Sequence, residues 1–339
     1  MEKETMYCRK LKEGAVQCLL CPHECIVQPD ARGACGVRAN RAGTLFSLVF
    51  GRPCAINVDP IEKKPLFHFL PGESTLSIAT VGCNFSCSFC QNWQISKEFG
   101  PFDNIFEEYP EVSPERVVSL CRQNASKIIS YTYTEPTIFY EYMIETARLA
   151  REAGLKNVIV SNGFINEAPL RELCKVLDAA NIDLKAFDDK FYRKNCKGRL
   201  APVLKALKIL KEEGVWLEVT NLIVPGENDG LEEIEKMCEW ISKELGRGVP
   251  LHFSRAHPDY KMEGFEPTPL KTLEEAKKIA EKHLDFVYLG NVHSDSGAST
   301  KCPECRRILV ERSMMSVKKN MIRDGKCPEC GETISGVWK

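Results

Sequence analysis

The stretch that decides the fold of this chain is LSIATVGCNFSCSFC, residues 76–90. Its first six residues form an apolar run that predicts a β-strand. Cys83, Cys87 and Cys90 then follow with Cys-x3-Cys-x2-Cys spacing. Structural zinc sites and ordinary [4Fe–4S] clusters take four protein ligands. Three cysteines therefore predict a cubane cluster with one iron open to a chelating amino acid, and the alternative is a zinc site that lacks its fourth ligand.

Apolar runs alternate with helical patterns downstream of this stretch. The runs predict strands at residues 76–81, 127–131, 157–160, 182–184, 215–223, 251–253 and 286–289. Repeated strand–helix order favours a parallel sheet with right-handed crossovers. About six or seven such units predict an α/β fold, a partial (β/α) barrel of the TIM-like type.

Composition excludes several classes of protein. The chain has 339 residues, a formal net charge of −1 and 43% hydrophobic residues. The near-zero charge gives no reason to expect general nucleic-acid binding. No apolar run approaches the ~20 residues of a membrane span, and residues 1–12 lack the apolar segment of a secretory signal. We therefore expect a cytoplasmic protein with no membrane partner.

Most of the 17 cysteines fall into three groups. A secreted disulfide framework would need an export signal, whereas clustered cysteines in a reducing compartment predict thiolate ligands for metals. The groups predict three regions. These are an N-terminal cysteine-rich metal module and linker over 1–70, a core barrel over 71–298, and a zinc ribbon over 299–339.

The last group consists of Cys302, Cys305, Cys327 and Cys330, two Cys-x2-Cys pairs separated by residues 306–326. This spacing is typical of a zinc ribbon. Four thiolates close a tetrahedron, so zinc would be structural here, and rubredoxin-like iron is the alternative.

The first group consists of Cys18, Cys21, Cys25 and Cys35. Its spacing fits either zinc or an auxiliary [4Fe–4S] cluster, and the identity of this second, N-terminal metal stays open. Replacement of one cysteine by His23 is a weaker alternative.

The central motif resembles the radical S-adenosylmethionine (SAM) superfamily, because Phe89 precedes its last cysteine and Gln91-Asn92-Trp93 follows it. The resemblance implies that SAM chelates the open iron and is cleaved by an electron from the cluster. The 5′-deoxyadenosyl radical so formed then abstracts hydrogen from a substrate. It also implies a low-potential electron donor of the flavodoxin or ferredoxin type.

Polar residues at the ends of the predicted strands are the candidate cofactor contacts, since function collects at the carboxyl ends of barrel strands. By resemblance, Thr134 and Glu135 occupy the place of a Gly-Gly-Glu-Pro motif that contacts the amino group of SAM, although both glycines are absent. Asn162, in a Ser-Asn-Gly turn, and Asn221 complete the predicted cofactor-binding set. The alternatives are an ordinary loop acid for Glu135 and a simple turn for Asn162.

Asp183, Lys185 and His257 are the predicted catalytic residues. Asp183-Leu184-Lys185 resembles the Asp-Leu-Lys of glycyl-radical activating enzymes, and alternation along a strand puts the two charges on one face. The resemblance implies contact of Lys185 with the cofactor carboxylate and of Asp183 with the substrate. His257 resembles a histidine near the cofactor ribose or substrate. The alternatives are a structural ion pair and a loop histidine without a catalytic role.

The whole chain resembles the AmmeMemoRadiSam-system radical SAM enzymes, which are similar to pyruvate formate-lyase activating enzymes. The resembling stretches are the first cysteine group and residues 59–68, 82–93, 131–137, 183–185 and 334–338. This resemblance implies Memo-like and Amme-like proteins as partners.

Three functions follow from these features. The leading hypothesis is a radical SAM enzyme that acts on an unknown substrate within that system. The alternative is an activase that abstracts hydrogen from a glycine of a partner protein. A non-catalytic iron–sulfur sensor whose ribbon binds nucleic acid is disfavoured, because it leaves Glu135 and the open-iron spacing unexplained and the chain is nearly neutral.

Overall fold

Six short strands build the N-terminal region. The computed structural model describes residues 3–97, 108–292 and 297–339. The strands are β1 (Lys3–Glu4), β2 (Cys8–Lys10), β3 (Val16–Cys18), β4 (Ile26–Val27), β5 (Arg38–Arg41) and β6 (Thr44–Ser47). They form two antiparallel sheets, in the orders β2-β3-β4 and β1-β6-β5.

An eight-stranded sheet forms the centre of the molecule. Its strands are β7 (Ala55–Pro60), β8 (Ser74–Ala79), β9 (Ile128–Tyr131), β10 (Lys156–Ser161), β11 (Ala179–Asp183), β12 (Trp216–Ile223), β13 (Leu251–Arg255) and β14 (Val287–Gly290). Strands β8 to β14 are parallel neighbours in chain order, and β7 pairs antiparallel with β8. The sheet has β7 and β14 as its two edges, so the predicted α/β fold with a partial barrel is confirmed.

Helices connect the parallel strands. They are α1 (Trp93–Ser96), α2 (Pro114–Gln123), α3 (Tyr140–Glu152), α4 (Glu167–Cys174), α5 (Asp189–Phe191), α6 (Leu200–Glu212), α7 (Leu231–Glu244) and α8 (Leu270–His283). The start of α2 shows a local cause: the Ser113 side chain accepts a hydrogen bond from the Arg116 amide, and Pro114 occupies the first turn. A π-helical turn, Tyr192–Cys196, follows α5 directly. Among the described residues, no helix has the length and apolar character that crossing a membrane requires.

The seven predicted strands are β8 to β14, and their cores are buried on both faces. Such strands read as continuous apolar runs, which is why the sequence reveals them. Strand β7 was not predicted. It is an edge strand with exposed Asn57 and Val58, and its pattern is correspondingly weak.

A three-stranded antiparallel sheet carries the C-terminal cysteines. Its strands are β15 (Thr300–Lys301), β16 (Ile308–Ser313) and β17 (Ser316–Asn320). Its apolar residues pack against the barrel in one cluster. The cluster contains Phe67, Phe286, Tyr288, Ala298, Cys302, Leu309, Cys327 and Ile334.

A buried hydrogen-bonded chain joins this sheet to the barrel. Arg312 donates to Thr300 Oγ1 at 2.9 Å, Thr300 Oγ1 lies 2.8 Å from the Tyr288 hydroxyl, and that hydroxyl lies 2.5 Å from His68 Nε2. His68 Nδ1 lies 2.6 Å from the Ser335 carbonyl oxygen and must donate to it. Burial, as the largest cause, lowers the pKa of His68 to about 4, so the imidazole is neutral near pH 7. With its proton on Nδ1, the neutral ring accepts at Nε2 from the Tyr288 hydroxyl.

We expect His68 to make the folded state sensitive to acid. Its folded pKa, about 4, lies below its ordinary value of 6.5, so the folded state binds fewer protons between these values. Stability from this residue is present above pH 6.5 and is lost as the pH falls through the window. Urea unfolding should show wild type losing about 1 kcal/mol more than His68→Gln between pH 7.5 and 5.5. Equal losses in the two proteins would contradict a neutral, buried His68.

Candidate active site

A cavity of about 530 Å³ opens at the carboxyl ends of the parallel strands. Cys83, Cys87 and Cys90 line it from the loop that follows β8. The turns after β9, β10 and β11 supply further polar walls. Ligand sites of parallel barrels lie at this end, so the structure places the cysteine motif where chemistry is expected.

The three central thiols are held by the chain around them. The amide of Phe85 donates to Cys83 Sγ at 3.4 Å, and Ser96 Oγ lies 3.2 Å from Cys90 Sγ. Burial raises the pKa of both thiols. Their ionisation therefore needs a cation, which a metal cluster would supply.

The spacing of sulfur atoms separates the central site from a single-ion site. In the described part of the chain, only the four C-terminal cysteines form a group whose Sγ atoms all lie within 4.8 Å of one another. Zinc bound at about 2.3 Å by four thiolates requires sulfurs roughly 3.8 Å apart. Among the described residues, Cys83, Cys87 and Cys90 do not form such a group, so their arrangement differs from that of a single tetrahedral zinc ion.

The π-helical turn is hydrogen-bonded to the cysteine loop. The amides of Ser86 and Ser88 donate to the carbonyl oxygens of Cys196 and Asn195, each at 2.9 Å. Gly198 follows this turn, where a Cβ atom would lie 2.3 Å from the ring of Phe85. This support was missed from the sequence, although Gly198 is a signal for close packing.

Glu135, predicted to contact the cofactor, is not among the residues that line the cavity. It is completely buried, and its Oε1 accepts from the Thr137 amide at 2.9 Å, the Thr137 hydroxyl at 2.7 Å and the Ser161 hydroxyl at 2.8 Å. Its Oε2 accepts from the Asn162 amide at 2.8 Å. The carboxylate therefore fixes the turn after β10. Asn162 itself lines the cavity, and its Nδ2 lies 3.9 Å from Cys83 Sγ.

Thr134 lines the cavity and donates to the Thr80 carbonyl oxygen at 2.8 Å. Tyr133 before it has φ +66°, the left-handed conformation that glycine would adopt without strain. Tyr133 donates its hydroxyl proton to Asp59. Tyr133 thus has the left-handed backbone conformation that a glycine would adopt at this position, and its side chain also contacts Asp59.

Lys63 and Lys64 form a cationic wall of the cavity that sequence reasoning assigned only to a linker. Their Nζ atoms lie 2.8 Å and 2.7 Å from the two carboxylate oxygens of Asp59. Burial lowers the pKa of Lys64 to about 8, and the Asp59 carboxylate opposes this shift. The signal for this wall was the charged run at 59–64, directly before the barrel.

Asp183, the last residue of β11, and Lys185, two residues beyond the strand, both line the cavity. Lys185 Nζ donates to Asp183 Oδ2 at 2.9 Å and lies 5.9 Å from the centre of the Phe89 ring. The pair therefore stands beside the cysteine loop.

Asn221 and His257, both predicted site residues, are not among the lining residues. Thr220 and Leu222 of β12 line the cavity, and alternation turns Asn221 away, where its Nδ2 donates to the Leu184 carbonyl oxygen at 2.8 Å. His257 is exposed on the segment after β13. Asn221 thus lies within β12, with its side chain directed away from the cavity.

The outer cysteine groups are each brought together. Cys302 and Cys330 have Sγ atoms 3.6 Å apart, and Cys305 and Cys327 have Sγ atoms 3.7 Å apart, as one tetrahedral ion requires. The four N-terminal cysteines surround a separate small cavity.

Comparison with known proteins agrees with this geometry. Residues 77–241 match the profile of the Radical SAM superfamily. The chain is 46% identical over 338 residues to the uncharacterized protein MJ0808 of Methanocaldococcus jannaschii, covering 99% of each chain. It is 23% identical to the pyruvate formate-lyase 1-activating enzyme of Escherichia coli K12, covering 60% of this chain and 86% of that one.

Among solved structures, a radical SAM methyltransferase from Sphaerobacter thermophilus is similar in fold, with a TM-score of 0.50 and 14% identity. The similarity covers 68% of this chain and 70% of that one.

Glu135→Gln should destabilise the fold by about 2 kcal/mol. Both carboxylate oxygens of Glu135 accept hydrogen bonds, and the glutamine NH2 group would replace one of them and face a donor that it cannot accept from. The free energy of unfolding from urea titration measures this loss. Glu152→Gln, an exposed substitution at the end of α3, is the matched control and should change stability by less than about 0.5 kcal/mol. A Glu135→Gln protein as stable as its control would show that the buried bonds do not carry the turn.

Proposed function

The chain belongs to the radical SAM superfamily, and we propose that it cleaves S-adenosylmethionine reductively to start hydrogen abstraction from a substrate. Cys83, Cys87 and Cys90 would hold a [4Fe–4S] cluster, which supplies the electron and an iron that binds the cofactor. The observation that carries the proposal is the set of three cysteines that line one open cavity at the carboxyl ends of the strands. A fourth thiolate in this set would close the cluster, and none of the lining residues supplies one.

The cavity walls suggest how the chain would bind the cofactor. Lys185 offers an ammonium group to a carboxylate, and Asp183 holds that ammonium in place. Thr134 and Asn162 present polar side chains near the cysteine loop. Glu135 would act as a positioning residue, because it fixes the backbone of Asn162 and does not face the cavity.

The partner proteins that we propose follow from the resemblance of the whole chain to AmmeMemoRadiSam-system enzymes. We include in the proposal a low-potential electron donor of the flavodoxin or ferredoxin type and Memo-like and Amme-like partner proteins. The C-terminal cysteines would bind structural zinc, since their sulfur spacing matches a closed tetrahedral site.

A second candidate function is activation of a glycyl-radical enzyme. It is favoured by the similarity to the pyruvate formate-lyase 1-activating enzyme and by the Asp183–Lys185 pair. A candidate partner protein labelled with deuterium at its glycines separates the two. Deuterium in 5′-deoxyadenosine would support the activase, and unlabelled product with a small-molecule substrate present would support the leading proposal.

Anaerobic protein reconstituted with iron and sulfide should form 5′-deoxyadenosine from SAM when a strong reductant is added. The variant in which Cys83, Cys87 and Cys90 are all Ala should form none, because no thiolate then holds the reactive cluster. Chromatography of the nucleoside product measures the rate. Cys8→Ala, at a cysteine outside the three groups, is the control and should retain wild-type turnover. Nucleoside formation that survives the triple substitution would refute the assignment.

A further inference from the structure

The four N-terminal cysteines line a buried cavity that the proposed chemistry does not use. Cys18 and Cys35 are buried, and Cys21 and Cys25 are partly buried. Its polar lining includes Arg38 from β5 and Asn84 from the central cysteine loop, together with His23 and Thr137. The cavity thus lies between the N-terminal sheets and the catalytic loop.

Backbone amides donate hydrogen bonds to the sulfur atoms of this group. In three of them the donor lies two residues later in the chain, as for Cys83 in the central loop. The donor and acceptor pairs are Leu20 with Cys18, His23 with Cys21 and Val37 with Cys35. Cys25 accepts from the Ala34 amide at 3.4 Å. The sulfur atoms of this group are therefore hydrogen-bond acceptors in the folded chain.

A core cysteine behaves in the opposite way. The thiol of Cys121 donates to the carbonyl oxygens of Ser126 and Ile128, at 3.2 Å and 3.4 Å. A protonated thiol is suited to that role, and the N-terminal group is arranged as an acceptor set instead.

The spread of the sulfur atoms indicates the kind of metal centre. Within the described residues, no three Sγ atoms of the N-terminal group lie within 4.8 Å of one another, and the same holds for the central group. The C-terminal group, with contacts of 3.6 Å and 3.7 Å, is the internal standard for one tetrahedral ion. We propose that Cys18, Cys21, Cys25 and Cys35 bind a second iron–sulfur cluster of the [4Fe–4S] class.

Arg38 gives independent evidence for an anionic occupant. Its side chain is 2% exposed, and its Nη2 donates to Glu141 Oε2 at 2.6 Å. Its Nε and Nη1 are buried and have no hydrogen-bond partner among the described residues. Buried guanidinium donors without partners are costly, and a thiolate-ligated cluster carries net negative charge. Arg38 is therefore the residue that donates to this cluster.

Asn84 separates the two cluster sites. It follows Cys83 directly, lines the N-terminal cavity, and accepts at Oδ1 from Asn162 Nδ2 at 2.8 Å. Its carbonyl oxygen accepts from His23 Nε2 at 2.7 Å, so His23 uses that nitrogen for a structural contact. The ligands of the second cluster are therefore the four N-terminal cysteines, and His23 is not one of them. The cluster site lies beside the catalytic loop.

The test uses the full chain with Cys83, Cys87 and Cys90 all changed to Ala, reconstituted anaerobically with iron and sulfide. It should retain about four irons and four sulfides per chain, against about eight of each in wild type. Mössbauer and electron paramagnetic resonance spectra of the reduced variant should show a cubane cluster that SAM does not perturb. A variant that holds no iron and binds a second zinc ion overturns the proposal.

A second variant tests Arg38 without removing a ligand. Arg38→Lys keeps a cation beside Glu141 but removes guanidinium donors, so the midpoint potential of the retained cluster should shift to a more negative value. Arg116→Lys, on the exposed face of α2, should leave the potential unchanged. An unshifted potential in Arg38→Lys overturns the role of Arg38.

Failure of this inference is distinguishable from failure of the proposed function. Wild type that cleaves SAM while the triple variant holds no iron would overturn only the second cluster. If the triple variant keeps its cluster but wild type never forms 5′-deoxyadenosine, only the proposed function is overturned.

Discussion

The constraint on which this structure depends is that several thiols must be held close together, away from water, until a metal neutralises them. Burial, as the largest cause, raises the pKa of Cys83, Cys90, Cys18 and Cys35. The chain opposes that penalty with backbone amides aimed at sulfur, such as the Phe85 amide at Cys83. Among the described residues, the sulfur atoms of the C-terminal cysteines are as close as one ion requires, and those of the other two groups are not.

The site walls show how local strain and long-range contacts support each other. Tyr133 takes a left-handed backbone conformation that costs roughly 1–2 kcal/mol in a residue with a side chain. Its hydroxyl donates to Asp59 of the edge strand β7, which also holds Lys63 and Lys64. Because those contacts come from a distant part of the chain, they stabilise the turn in a way that a glycine could not.

The sequence reveals features that depend on local pattern and conceals those that depend on distant partners. Strands β8 to β14 were predictable because burial on both faces gives continuous apolar runs. Glu135 was identified as a site residue, but its contacts were not predictable, since its hydrogen-bond partners Ser161 and Asn162 lie at the end of the neighbouring strand β10 and in the turn after it. For Asn221, a strand assignment without its register left the choice between two faces open, and the neighbours Thr220 and Leu222 proved to line the cavity.

The C-terminal region is more than an appended metal module. Arg312 is buried and donates to the Phe67 carbonyl oxygen at 2.5 Å, which fixes β16 on the barrel. Met315, in the turn between β16 and β17, lines the active-site cavity. A metal bound by Cys302, Cys305, Cys327 and Cys330 would therefore also stabilise part of the cavity wall. The apolar face of this region packs on the barrel, so the region helps to shape the cavity.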